Sequence, residues 1–251
     1  MPPKGDSRDF VHPQQGPTVV LVHGAFADAG SWAPVTERLV SAGVPVTAIV
    51  NPLRGLRHDA AYVASVISQI PGPVLAVGHS YGGAVITNAV PQTRNTVGLV
   101  YVAAFAPDEG EMLADIVGRS QDSVLGTATL ERQFPAGDGP QTATELIIDP
   151  ARFRGVFTAD LPQLESDVYG LSQRPIAARA FAEETGHPAW KDLPSWAAVG
   201  TADKAAGTDV VRSMAQRAGA KITEIDGSHV IMISQPDAVT EVILTALKSV
   251  T

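Results

Sequence analysis

The stretch PVLAVGHSYGGAVI, residues 73–86, joins three unlike pieces. Pro73 to Val77 is a short apolar, β-branched run too continuous for an amphipathic helix, so it reads as a buried strand. Ala84, Val85 and Ile86 open a helix. Between them lies Gly78-His79-Ser80-Tyr81-Gly82, a G-x-S-x-G turn. A serine in that turn is forced into a tight backbone conformation, and the flanking glycines remove the Cβ atoms that would keep strand and helix apart. The hydroxyl of Ser80 is left at a helix N-terminus, where free N–H groups and the helix dipole favour developing negative charge. No G-x-G-x-x-G is present, so a dinucleotide loop is not the reading of these glycines.

Working outward, the same rhythm of apolar run and helical period repeats. Strands are expected at Thr18–Val22, Val44–Val50, Pro73–Val77, Val97–Ala103, Ser195–Val199 and Lys221–Ile225. Helical spacing relates Tyr62, Val63, Val66, Ile67 and Ile70, then Val210, Val211, Met214, Ala215 and Ala218 before Gly219. It relates Val239, Val242, Ile243, Ala246, Leu247 and Val250 in the last helix. Buried strands alternating with helices predict an α/β fold, a doubly wound, mainly parallel sheet of about six strands. The rhythm stops between Pro107 and Pro194, a span too long for a loop. It predicts a mostly helical cap over residues 108–193, set on a core of residues 17–107 and 194–251. Residues 1–16 offer only Phe10 and Val11 as apolar anchors and read as a flexible tail.

Composition narrows the partners. The chain has 251 residues, 45% of them hydrophobic, enough for one well-buried domain. With 18 Lys and Arg against 26 Asp and Glu, its net charge of −8 repels nucleic-acid phosphates and anionic lipid. Cysteine is absent, which removes disulfides, thiolate metal sites and a cysteine nucleophile. HExxH and metal-spaced His/Asp clusters are also absent, so neither metal nor organic cofactor is expected. The charged, proline-containing start and the lack of any 18-residue apolar run lead to the expectation of a cytoplasmic protein, monomer or homodimer, acting on a small molecule.

A serine hydroxyl needs a base to take its proton, and six histidines are available. His12 lies in the tail, His79 inside the turn, and His23 and His58 precede the serine. In sheets of this kind the order is serine, acid, histidine, which leaves His187 and His229. His187 lies in the cap segment, whereas His229 follows the last strand at the sheet end where Ser80 emerges, and is the expected base. Asp203, in Gly200-Thr201-Ala202-Asp203 after a strand, is the expected acid that holds the imidazole's tautomer. Asp108, after the neighbouring strand, is its rival. Oxyanion stabilisation calls for two N–H donors. Tyr81 supplies one, and the other comes from the loop after His23-Gly24 at the end of the first strand, from Ala25 first and Phe26 second.

Together, VLVHGAFADAGSW, VGHSYGG, GTAD and GSHVIMISQP resemble the α/β-hydrolase superfamily, in particular its small esterase and hydroxynitrile-lyase-like branch. The resemblance spans nearly all of residues 17–251 and implies an α/β-hydrolase fold, here without the family's first two strands, with Ser80, Asp203 and His229 as a catalytic triad. Hydroxynitrile lyases of this branch have Thr where Gly24 stands, and Lys where Val230 follows the histidine. Both departures favour hydrolysis. The expected activity is that of a serine hydrolase cleaving a small apolar carboxylic ester through an acyl-enzyme on Ser80. The alternatives are cofactor-free perhydrolase (haloperoxidase-like) or lyase chemistry on the same triad, and a ligand-binding receptor of this fold. Pocket walls are expected from Phe26, Trp32, Phe105, Met112, Phe134, Phe157 and Trp190.

Overall fold

The computed structural model describes residues 16–251, so the expected tail, Gly16 aside, lies outside the described residues. Core strands and helices alternate from the start: β1 (Thr18–Val22), α1 (Ala33–Ser41), β2 (Val46–Ile49), α2 (Leu56–Ser68), β3 (Val74–His79), α3 (Tyr81–Ala89) and β4 (Thr96–Val102). An insertion follows, with α4 (Leu113–Arg119), α5 (Leu125–Ala128), β5 (Thr129–Pro135), β6 (Thr142–Ile148), α6 (Phe153–Val156), α7 (Gln163–Ser172), β7 (Ile176–Ala177) and α8 (Arg179–Ala182). The core resumes with β8 (Ser195–Gly200), α9 (Thr208–Arg217), β9 (Lys221–Ile225), α10 (Ile231–Ser234) and α11 (Pro236–Val250).

The core strands form one parallel sheet in the order β2-β1-β3-β4-β8-β9. Every residue of β3 and β8 is buried, as strands covered on both faces must be, while the edge strands β2 and β9 keep exposed positions. The chain steps outward from β1 to β2 and then back across β1 to β3. With right-handed crossovers, that reversal puts α1 and α2 on opposite faces of the sheet. Accordingly α11 packs with α1, and α3 with α2. Adjacent strands β1 and β3 therefore lead into helices on opposite faces, which opens a crevice beyond their C-terminal ends. Register fixes what meets there: Val22 pairs with Gly78, and His79 with Val102, so the residues that follow β1, β3 and β4 emerge at one level.

Besides its helices, the insertion holds strands that the sequence reading did not include. Strands β5 and β6 form an antiparallel hairpin, and β7 pairs with β6 to make a second, three-stranded sheet. Most of β5 is exposed, so it lacks the continuous apolar run that marks a core strand. The hairpin is tied to the β2–α2 loop. Arg54 pairs with the buried Glu145 at 3.2 Å and lies 4.6 Å over the Phe134 ring, and Ala177 N–H donates to Leu53 O at 2.9 Å. Among the described residues no helix is long and apolar enough to cross a membrane.

Candidate functional site

Ser80 sits at φ 53°, ψ −124°, directly before the first residue of α3. The turn is pinned by its neighbours: Ser80 N–H donates to Val102 O at 3.3 Å, and Ser80 O accepts from Gly83 N–H at 2.9 Å and Phe105 N–H at 3.2 Å. Two glycines permit this packing. A Cβ on Gly78 would lie 2.5 Å from the Gly82 carbonyl oxygen, and one on Gly24 would lie 2.6 Å from Ser80 Cβ. The loop after β1 therefore reaches the serine only because residue 24 has no side chain. Among the described residues the backbone N–H groups of Ala25, Phe26 and Tyr81 have no protein acceptor. Those of Ala25 and Tyr81 belong to the residues beside Gly24 and Ser80.

His229 arrives from the loop after β9. Its Nδ1–H donates to Asp203 Oδ2 at 2.8 Å, with both side chains 1% exposed. The other carboxylate oxygen of Asp203 accepts from Ala205 N–H at 2.9 Å and Ala206 N–H at 3.0 Å, so the carboxylate is held at both ends. Nε2 of His229 is buried with no hydrogen-bond partner among the described residues. A neutral imidazole protonated at Nδ1 carries its lone pair on that unpartnered nitrogen.

Two further histidines support this arrangement, neither of them expected to. His79 Nε2–H donates to His229 O at 3.0 Å, and the two rings lie 4.7 Å apart between centroids. Burial and the neighbouring His229 ring hold the His79 pKa well below its usual value, so it stays neutral beside the imidazole it braces. His23 Nδ1–H donates to Gly24 O at 2.8 Å, and its Nε2 accepts from Asn51 N–H at 2.9 Å. Burial lowers its pKa to about 4, which fixes the neutral tautomer that this pair of bonds requires. Asp59, fully buried, accepts from Tyr81 O–H at 2.7 Å and Arg54 N–H at 3.1 Å, anchoring the residue after Ser80. Positions two residues apart in a motif can be read from sequence, whereas contacts such as 59 with 81 carry no local signal.

A model of the alpha/beta hydrolase family matches residues 19–242. The chain belongs to the α/β-hydrolase family. Solved structures share its fold. Polyneuridine aldehyde esterase is 20% identical with a TM-score of 0.77, covering 92% of this chain and 99% of its own. A methylesterase protein, MES16, from Arabidopsis is 20% identical with a TM-score of 0.75, covering 92% and 99%. A pyrethroid hydrolase from Sphingobium faniae JZ-2 is 19% identical with a TM-score of 0.73, covering 92% and 97%. A comparison with curated proteins finds no match.

In this hydrolase the rival acid Asp108 pairs with Lys191 Nζ at 2.6 Å. That contact, more than anything else, lowers its pKa. His187 likewise pairs with Asp192 at 2.7 Å, within the insertion. Of the seven expected wall residues, Phe157 packs its ring 4.8 Å from His229 and edge-on to Phe26 at 6.3 Å. Trp32 lies edge-on to His79 at 6.3 Å but is wholly buried, and Phe105 is tied to Ser80 through its backbone. Phe134 is held instead under Arg54, and Trp190 by its bond to Pro107 O at 3.0 Å and by Arg217 and Lys191 near its ring. Met112, half-buried, precedes α4. No group of three or more His, Asp or Glu side chains spaced for a metal ion occurs among the described residues.

Proposed function

We propose that this hydrolase cleaves a small apolar carboxylic ester, with Ser80 as nucleophile, His229 as general base and acid, and Asp203 as the group that orients the imidazole. The observation that carries the reading is the pairing of His229 Nδ1 with Asp203 while Nε2 is unpartnered, in a chain whose Ser80 occupies the elbow after β3. In the reaction, His229 Nε2 takes the Ser80 proton as Oγ attacks the ester carbonyl. The N–H groups of Ala25 and Tyr81 donate to the oxyanion of the tetrahedral intermediate. Collapse expels the alkoxide, which takes the proton from His229 and leaves as the alcohol. Water then loses a proton to His229 as it attacks the acyl-enzyme, and the carboxylic acid departs with Ser80 restored. Ser80 Oγ is not hydrogen-bonded to His229 Nε2 in the unliganded protein, and that bond forms in the complex with substrate, as catalytic hydrogen bonds that are long in unliganded enzymes do.

Phe157 beside His229, with Phe26 edge-on to it, favours an apolar acyl or alkyl group over a charged one. Gly24 supports hydrolysis over cyanohydrin cleavage, because such lyases carry a threonine there and this backbone, in which a Cβ would lie 2.6 Å from Ser80 Cβ, has no room for it. The names of the three similar structures, polyneuridine aldehyde esterase, a methylesterase and a pyrethroid hydrolase, are in keeping with ester chemistry. The test is the initial rate on p-nitrophenyl esters of increasing chain length, for wild type and Ser80→Ala side by side. Turnover confined to wild type and greatest for short chains is expected. Folded wild type without turnover on any ester, or turnover that persists in Ser80→Ala, overturns the reading.

A further inference from the structure

The loop that carries His229 is held by the insertion as well as by the core. Ser228 N–H donates to Asp160 Oδ2 at 2.9 Å, and the Ser228 hydroxyl donates to the other oxygen of the same carboxylate, with Phe157 O a second acceptor at 3.3 Å. Ser228 is buried, and Gly227 approaches so closely that a Cβ there would lie 2.9 Å from Asp160 Oδ2. Asp160 lies between α6 and α7, three residues beyond Phe157, whose ring rests on His229. One turn of the insertion, residues 157–160, thus grips both the ring of His229 and the peptide immediately before it. Burial raises the Asp160 pKa, but hydrogen bonds from Ser228 and Ser234 outweigh it and bring the carboxyl below its usual value, so its charge is present across neutral pH. Hydrogen bonds to a charged acceptor are the stronger kind, and here both converge on one residue.

The core anchors of His229 leave this role open. Asp203 fixes the ring's nitrogen, His79 the carbonyl that follows it and Ala202 N–H the Gly227 carbonyl at 3.0 Å, but none of them hydrogen-bonds Ser228. An imidazole that must reach a serine within a few tenths of an ångström depends on the backbone from which it swings. We propose that Asp160 is a positioning residue for the hydrolysis: by binding the Ser228 amide and hydroxyl together, it sets the backbone of His229 and makes the placement of Nε2 depend on the docked insertion. The inference rests on the hydrolase reading of Ser80 and His229.

The test compares wild type, Asp160→Asn, Asp160→Ala, Ser228→Ala and the Asp160→Ala/Ser228→Ala double variant. Four readouts are taken: p-nitrophenyl acetate kinetics, the rate of Ser80 modification by diisopropyl fluorophosphate, the downfield proton resonance of His229 Nδ1–H, and thermal melting. Asp160→Ala is expected to lower kcat and the modification rate together by about 10- to 100-fold, with KM within about twofold. Asp160→Asn, which keeps one acceptor, falls between, and the double variant is no slower than Asp160→Ala because Ser228 acts through Asp160. The downfield resonance shifts or broadens in Asp160→Ala while melting stays cooperative. A lowered Tm with unchanged kcat and resonance overturns the proposal in favour of a plain tether, as does a raised KM at constant kcat or additive losses in the double variant. If Asp160→Ala does not fold, Asp160→Asn and Ser228→Ala decide by the same criteria. Should wild type neither turn over ester nor react with the fluorophosphate, the hydrolase reading fails on its own. The His229 resonance then still decides for or against the Asp160 contact.

Discussion

Ser80 is one of four non-glycine residues with positive φ among the described residues, and its ψ of −124° puts it where a Cβ is strained. The surrounding bonds to Val102, Gly83 and Phe105 hold it there. Relief of that strain and loss of function are expected to coincide. Ser80→Gly should abolish ester turnover and raise unfolding free energy by about 1 kcal/mol in urea titrations, and a lowered midpoint would contradict the strain. Asp203 gives a second expectation. Its Oδ1 is claimed by two backbone N–H groups, so in Asp203→Asn the side-chain oxygen stays with them and the amide NH2 faces His229. Nδ1 must then accept, the proton moves to Nε2, and the imidazole cannot take the serine proton. A fall in kcat of about 10⁴-fold is expected in steady-state kinetics, and a loss under tenfold would place the orienting acid elsewhere.

At the scale of elements, the decisive unit is the β3–turn–α3 segment and what braces its far side. The Tyr81 hydroxyl reaches across to Asp59 on α2, and its pKa is raised well above the usual value, first by burial and then by that carboxylate. Tyr81→Phe leaves a buried carboxylate short of a donor. It should cost about 1–3 kcal/mol in chemical denaturation while kcat changes only a few-fold, since the backbone N–H of residue 81 remains. A much larger kcat loss at unchanged stability would give the hydroxyl a direct part in the reaction. Strands β3 and β8 were legible because wholly buried strands are written as unbroken apolar runs. The hairpin of β5 and β6 was not, because its stability comes from pairing and from the Arg54–Glu145 contact with a distant loop.

Across the whole molecule, His23 and His79 are buried as neutral rings close to the site. Both have folded pKa values below the unfolded value of about 6.5. The unfolded chain therefore binds more protons, and stability, complete above pH 6.5, is lost as pH falls toward about 4, the folded value of His23. Between about pH 6.5 and 4.5, before carboxylates such as Glu111 enter, each ring should contribute a slope approaching about 1 kcal/mol per pH unit. Urea unfolding at stepped pH measures it, and His23→Asn should flatten it. A wild-type slope indistinguishable from that of the variant would show that the ring is charged in the fold.

The parallel sheet and its glycine-bounded elbow could be read from the chain alone, because unbroken apolar runs and a turn between strand and helix are local properties. The sequence placed Ser80, Asp203 and His229 on strand ends, and parallel register then brings such ends to one level. The order of strands, which puts the crevice between β1 and β3, was decided only by tertiary structure. So were the partners of the two candidate acids, His229 for Asp203 and Lys191 for Asp108, and the bracing of the site by His79, Asp59 and Asp160. These depend on side chains separated by tens of residues, whose pairing is fixed by packing and has no counterpart in the spacing of residues along the chain.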